Sequence, residues 1–336
     1  MSIYFFELDD SRQKYLSEKL PNETLRFSPA TLTTSEQAHN IGHDAEIVSP
    51  FVHSHLGADV IDNLPHLKMI ATRSTGFDHI NVPEAESRSI PVCNVPTYGE
   101  NTVAEHTFAL ILSLSRNLHK AYVHTMAGNF SLEGLEGFDV KGKTLGVVGV
   151  GHIGEYVMRI AKGFGMDLLA YDPVEDMTKA DHFDFTYTTL EDLMRRSDIV
   201  TIHAPANPST KHLIGRHNID HFKRGALLIN TARGELVDTE ALISALDQGI
   251  LAGAGLDVLE GEEVFSEEKQ LLLNPKATEE SLKQAIRNRS LLQRPDLVIT
   301  PHIAFDSHEA VERILDTTVA NIKAFRLGKP QNQVHT

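Results

Sequence analysis

Gly149, Gly151 and Gly154 stand at G-x-G-x-x-G spacing directly after the apolar run Thr144-Leu-Gly-Val-Val148. A buried strand, a glycine turn and a helix in that order present backbone N–H groups at a helix N-terminus, where a pyrophosphate can sit. Asp172 ends the next apolar run, about 20 residues on, where such folds place an acid on a ribose diol. Together they predict dinucleotide binding. Arg233, in Leu228-Ile-Asn-Thr-Ala-Arg-Gly234, leaves another strand candidate beside a glycine. Its forked guanidinium suits a carboxylate, which two parallel N–H···O bonds hold in one orientation. His302 follows Pro301 after a third strand candidate and is the side chain best suited to exchanging a proton near neutral pH. A carboxylate on its far nitrogen would fix the tautomer and favour the protonated ring. Asp257 and Glu262, both in Gly255-Leu-Asp-Val-Leu-Glu-Gly-Glu262, are candidates for that partner.

Such residues converge only if parallel strands deliver them to one edge of a sheet. Apolar runs at 145–150, 168–171, 199–203, 226–230, 254–258 and 297–300 predict six strands with intervening helices, a doubly wound sheet. One of those helices is well signed, with Asp238 as its cap, Leu242 and Leu246 on one face and Gly249 at its end. Earlier runs at 3–6, 46–49, 68–72 and 92–95 predict a smaller parallel α/β sheet. Between the two, residues 101–118 predict a helix apolar nearly all round, which must be buried on more than one side, between domains or subunits. A polar excursion at 262–297 carries a helix start at Thr278, with Leu282 and Ile286 to pack inward. A last helix over 308–327 returns to the first domain, so residues 101–301 are expected as a domain inserted into one made of 1–100 and 302–336.

Composition narrows the class. The 336 residues are 41% hydrophobic and 23% charged, as in an ordinary globular protein, with a net charge of −15. Nucleic acid and anionic membrane both need a basic footprint, so neither is expected as a partner. No apolar run reaches the ~20 residues of a membrane helix, and the first residues do not resemble a signal peptide. Cys93 is the only cysteine, which excludes an internal disulfide and reads as a small core residue. A cytoplasmic protein is expected. Among the 18 histidines, His217 and His221 have helical spacing and His53 and His55 lie close together, but no acid or cysteine completes a metal set. No metal is expected. The runs Phe5-Phe6 and Leu271-Leu-Leu273 read as core.

The chain resembles the NAD-dependent D-2-hydroxyacid dehydrogenases over residues 46–327. The likeness rests on Arg73-Ser-Thr-Gly-Phe-Asp78, Val95-Pro-Thr-Tyr-Gly-Glu-Asn-Thr-Val-Ala-Glu105, the glycine turn, Asn230-Thr-Ala-Arg-Gly234, Leu256-Asp-Val-Leu-Glu-Gly-Glu262 and Thr300-Pro-His302. It implies two parallel-sheet domains, a Rossmann NAD-binding domain inserted into a smaller flavodoxin-like substrate domain. It also implies catalytic roles for Arg233, Glu262 and His302, and picks Glu262 over Glu260, Glu263 and Asp257 as the acid. In such enzymes the loop matching Ser74, Thr75 and Gly76 offers N–H groups to the substrate carboxylate. Contacts to NAD are implied for Thr102, Gly149, Gly151, His152, Ile153, Gly154, Asp172, His203, Ala204, Pro205, Thr231, Ala232, Arg233, Asp257 and His302. A homodimer is implied as well.

Within the family the chain is similar to the D-lactate dehydrogenase branch, on Ala71-Thr-Arg-Ser-Thr-Gly-Phe-Asp78 and His302-Ile-Ala-Phe305. Phe51, Tyr98 and Phe305 would form an apolar wall for a small aliphatic side chain. Asp306, where that branch often has an aromatic residue, would disfavour anionic side chains. Pyruvate is the first expectation, followed by larger 2-oxo acids, glyoxylate and hydroxypyruvate. A dinucleotide-sensing corepressor is the non-enzyme alternative, and such proteins usually carry recognition segments or tails that this chain nearly lacks.

Overall fold

Capped helices alternate with runs of buried Val, Ile and Leu, and in the computed structural model these build two parallel sheets. The structure describes residues 2–261 and 279–335. The chain divides into two compact units, one of Met1–Tyr98 with Ser307–Thr336 and the other of Gly99–Asp306.

The first unit holds β1 (Ser2–Phe5), β2 (Leu25–Phe27), β3 (Ala45–Ser49), β4 (Met69–Ala71) and β5 (Val92–Cys93), in the order β2-β1-β3-β4-β5. All four pairings are parallel, and this is the flavodoxin-like order. Phe5 and Phe6 are buried as expected, and Cys93 is a buried core thiol whose pKa burial pushes up to about 11. The helix His308–Arg326 starts on Ser307, whose hydroxyl accepts from Ala310 N. It buries Leu315, Val319 and Ile322 against Ile3, Phe5, Ile47 and Met69.

The second unit holds β6 (Thr144–Val148), β7 (Asp167–Tyr171), β8 (Thr186–Tyr187), β9 (Ile199–Ile202), β10 (Ala226–Asn230), β11 (Leu251–Leu256) and β12 (Leu297–Ile299). Their order is β12-β11-β10-β9-β6-β7-β8, again all parallel. Chain direction through the sheet reverses between β6 and β9, and ligands bind at such a switch point. The helix Thr239–Asp247 starts as expected on Asp238, whose carboxylate accepts from Glu240 N and Ala241 N, and Gly249 follows it at φ 64°.

Several expectations need correction. The second sheet has seven strands rather than six, because β8 is a two-residue edge strand with neither residue buried. β2, another edge strand, was likewise not expected: it is three residues long, with Leu25 and Phe27 half-buried and Arg26 exposed. The helix expected over 101–118 ends at Ser115, where Asn117 turns left-handed (φ 49°) before a second helix, Leu118–Met126. Its burial comes from within the unit: Phe108, Ile111 and Leu114 share a core with Val157, Met158 and Ala161 of the helix His152–Gly163. Ile286, expected to pack inward, is 70% exposed, and the helix Glu279–Leu292 buries Asn288 and Leu291 instead. The unit boundaries fall at 98/99 and 306/307, so His302 and its neighbours belong to the larger unit, to which backbone bonds tie them. Glu262, Thr278, Leu271-Leu-Leu273 and the side chain of Leu282 lie outside the described residues.

Candidate active site

The glycine turn joins β6 to the helix His152–Gly163. Gly149 has φ 94°, and a Cβ there would lie 2.8 Å from the carbonyl of His203, so the turn passes close to the end of β9. A Cβ on Gly154 would lie 2.3 Å from the Gly149 oxygen, so only glycine lets the helix start this tightly on the strand. Around Gly151 a Cβ would meet nothing within 4 Å. No side chain caps this helix, whereas the helices Met177–Phe183, Leu190–Arg196 and Thr239–Asp247 are capped by Asp176, Thr189 and Asp238. Open space over an uncapped helix N-terminus fits the pyrophosphate of a dinucleotide.

Asp172 follows β7. Its carboxylate accepts from Val150 N (2.8 Å) and Val174 N (2.9 Å), which ties it to the glycine turn. The bonded atoms leave lone pairs for a ribose diol. His203 follows β9 with Nε2 2.9 Å from Thr201 Oγ1 and Nδ1 buried without a hydrogen-bond partner among the described residues. Burial pushes its pKa down to about 3, so the ring is neutral. Ala204 is half-buried and Pro205 exposed, with the Pro205 carbonyl accepting from Thr210. Thr102 and Thr231 are buried, and Thr231 Oγ1 lies 3.0 Å from Thr107 Oγ1.

Arg233, Asp257 and His302 follow β10, β11 and β12, three adjacent parallel strands, at one edge of the sheet. The Arg233 turn is braced by Asn230, whose amide oxygen accepts from Ala232 N and whose amide nitrogen donates to the Arg233 carbonyl. His302 has φ 54°, a left-handed conformation uncommon for a residue other than glycine. Asp257 holds the backbone there. Its carbonyl accepts from His302 N (2.8 Å), and its carboxylate accepts from Ile303 N (2.9 Å), Ala304 N (2.8 Å) and Thr300 Oγ1 (2.5 Å). His106 Nε2 lies 3.5 Å from the same carboxylate and 3.0 Å from Thr300 Oγ1. Burial alone would push this carboxyl up. The bonds from His106, Thr300, Ala304 and Ile303 outweigh it and hold the pKa below the usual carboxylate value. Asp257 therefore grips the backbone at and after His302 and the Thr300 side chain before it.

Glu260 is committed elsewhere, 2.6 Å from His212 Nε2 and accepting from Thr239 Oγ1 at 3.0 Å. Phe305 lies in this unit, while Phe51, Ser74, Thr75, Gly76 and Tyr98 lie in the other. There the Ser74 hydroxyl donates to the Gly76 carbonyl, Thr75 Oγ1 donates to the Val95 carbonyl, and Asn94 donates to the Thr75 carbonyl. The roles of Asn230 and His106 were not read from the sequence, and Asp257, read as a candidate partner for the His302 ring, is seen to hold Ile303 N, Ala304 N and Thr300 Oγ1 with its carboxylate. Asn two residues before a turn amide is a recognisable signal, whereas nothing in sequence links His106 to Thr300.

An uncapped glycine turn at the switch point of a doubly wound sheet defines a dinucleotide-binding protein. Comparison with known proteins makes the class specific. The family described as "D-isomer specific 2-hydroxyacid dehydrogenase, NAD binding domain" matches residues 108–304, and the chain belongs to this family of NAD-dependent oxidoreductases. It is 38% identical over 332 residues to a 2-hydroxyacid dehydrogenase homolog of Haemophilus influenzae, covering 98% of this chain and 97% of that one. It is 36% identical over 287 residues to a glyoxylate reductase of Korarchaeum cryptofilum, covering 83% and 80%. The D-lactate dehydrogenase of Aquifex aeolicus, solved with NAD and lactic acid, superposes with a TM-score of 0.87 at 35% identity, covering 97% and 96%.

Replacing Asp257 by Asn should cost about 3 kcal/mol at neutral pH, since buried donors lose a charged acceptor. Its depressed pKa means that the wild-type contribution is present above about pH 4 and lost as pH falls below it. Urea unfolding of both proteins at pH 7 and pH 3 checks this: the gap should be smaller at pH 3 than at pH 7, by about 1 kcal/mol at most.

Proposed function

We propose that the protein reduces a small 2-oxo acid to the D-2-hydroxy acid, with pyruvate the preferred substrate. The observation that carries this reading is the held, left-handed His302 at a strand end next but one to that of Arg233. Bound NADH supplies a hydride to the carbonyl carbon. Arg233 holds the substrate carboxylate through its guanidinium and polarises the carbonyl oxygen, where negative charge develops. Protonated His302 gives its proton to that oxygen, and Glu262 stabilises the imidazolium. In the oxidising direction neutral His302 takes the proton, so oxidation is favoured at higher pH.

Ser74, Thr75 and Gly76 offer their N–H groups to a substrate carboxylate. This assignment is supported by the loop's carbonyls and hydroxyls being bonded within the unit. Phe51, Tyr98 and Phe305 contact the substrate side chain, and Asp306 works against a second negative charge. Thr102, His152, Ile153, Thr231 and the 203–205 backbone serve NAD alongside the glycines. Asp172 selects NAD over NADP, because its carboxylate accepts from a free diol and repels a phosphate. Cys93 as the only thiol supports a cytoplasmic setting.

A homodimer is part of the proposal. The helix Leu118–Met126 has no buried residue, although Leu118, Tyr122, Val123 and Met126 form one stripe, each at least 55% exposed. Phe130 and Leu132 continue the apolar surface at 80% and 85% exposure. A stripe of this kind marks a protein contact, and a second copy of the chain covers it most economically.

Three measurements check these readings. NADH oxidation with pyruvate, 2-oxobutyrate, 2-oxo-4-methylpentanoate, phenylpyruvate, glyoxylate and hydroxypyruvate should be fastest with pyruvate and give the D-product; silence across the panel sinks the proposal. Asp172→Ala should narrow the preference for NADH over NADPH by about tenfold, the worth of ~1.4 kcal/mol. Sedimentation should give twice the 37.2 kDa chain mass, and Tyr122→Glu should shift it towards the monomer.

A further inference from the structure

In the first unit, residues 50–54 follow β3 without forming a helix or strand. One side chain organises them. The Glu7 carboxylate accepts from Phe51 N (3.1 Å), Ser54 N (3.0 Å) and Ser54 Oγ (2.5 Å) through Oε1, and from His53 N (3.0 Å) through Oε2. Glu7 itself has φ 55°, in the region a non-glycine residue enters reluctantly, so the backbone bends to aim this carboxylate into the loop. Four donors converging on one carboxylate make a nest that a neutral side chain cannot fill in the same way.

Arg73 locks the arrangement from beneath. Its guanidinium donates to the carbonyls of Ser49 (2.7 Å), Phe6 and Glu7, and its Cζ lies 5.5 Å from the centre of the Phe51 ring. The Arg73 N–H reaches the Pro50 carbonyl, and Ser74 follows directly in the chain. Burial lowers the Arg73 pKa to about 10, which leaves it charged at neutral pH. The loop bearing Phe51 and the loop bearing Ser74, Thr75 and Gly76 thus meet at the carboxyl ends of β1, β3 and β4, where the half-buried Glu7 carboxylate holds the loop amides and the buried Arg73 guanidinium holds the carbonyls of Phe6, Glu7 and Ser49.

We propose that Glu7 is a positioning residue that fixes the Phe51 ring and so sets which 2-oxo acid side chain the enzyme accepts. This rests on the proposed function, which assigns Phe51 to the substrate side chain. Glu7 acts through geometry alone: it touches no reacting atom. Gln at this position keeps one acceptor oxygen, uncharged, for the three donors now on Oε1, and turns an NH₂ group towards His53 N, so that donor is released and the others are weakened.

The test compares wild type, Glu7→Gln, Phe51→Leu and the double variant. Steady-state kinetics with pyruvate and 2-oxo-4-methylpentanoate give kcat and KM for each, titration gives the NADH Kd, and thermal unfolding gives Tm. Glu7→Gln should raise KM for pyruvate roughly tenfold with kcat changed much less, as for lost uniform binding. The ratio of kcat/KM between the two acids should shift several-fold, with the NADH Kd unchanged because the cofactor turn lies in the other unit. The double variant should match Phe51→Leu in that ratio, since Glu7 acts through the ring. A lowered Tm with an unchanged ratio and KM would show a structural role only and overturn the proposal. Additive shifts in the double variant would also overturn it. A wild type that reduces no 2-oxo acid overturns the underlying function along with it, an outcome seen before any variant is compared.

Discussion

A carboxylate removed from water must be met by donors, and the second unit is arranged around how one such group is met. Asp257 is 1% exposed, and the backbone N–H groups of Ile303 and Ala304 and the Thr300 hydroxyl all converge on it. An unpartnered charge at that depth would cost several kcal/mol. The cheapest arrangement therefore holds the chain after β12 bent over the end of β11. That bend gives His302 its left-handed backbone, and with it the position of its ring.

The same device recurs at smaller scale. Asp172 accepts from Val150 N and so ties the glycine turn to the end of β7. Asn230 does with an amide what the acids do with charge, bracing the turn before Arg233. Glu7 gathers the 51–54 loop in the other sheet. Parallel strands deliver loops to one edge, but a loop has no ladder to hold it there. In this protein polar side chains at strand ends supply the missing bonds.

Much of this was legible in the sequence because the signals are local. Gly149 and Gly154 must be glycine for reasons of space within a few residues, and Asp238 caps a helix that begins on the next residue. The two parallel sheets and the family membership follow from patterns of that kind. Edge strands were not legible: Thr186-Tyr187 and Leu25-Arg-Phe27 are too short and too exposed to leave an alternation. Nor was the orientation of Ile286, since a few apolar residues spread over a polar helix do not say which face is covered. Least visible were the long-range grips. His106 and Thr300 are 194 positions apart, and Glu7 lies 44 before Phe51. No periodicity encodes such pairs.

The first unit is assembled from both ends of the chain. Its core joins Ile3 and Phe5 to Leu315, Val319 and Ile322, and Asn321 and Asn332 bind the backbone at Asn94. During synthesis, strands β1 to β5 emerge first yet wait for some 200 further residues before their sheet can be covered. The second unit, continuous from Gly99 to Asp306, has no such wait. Order of translation and order of completion are therefore inverted, with the nucleotide-binding sheet able to close while the older strands still show an open apolar face. That interval, rather than the finished fold, is when the chain is most exposed to misassociation and most in need of a chaperone.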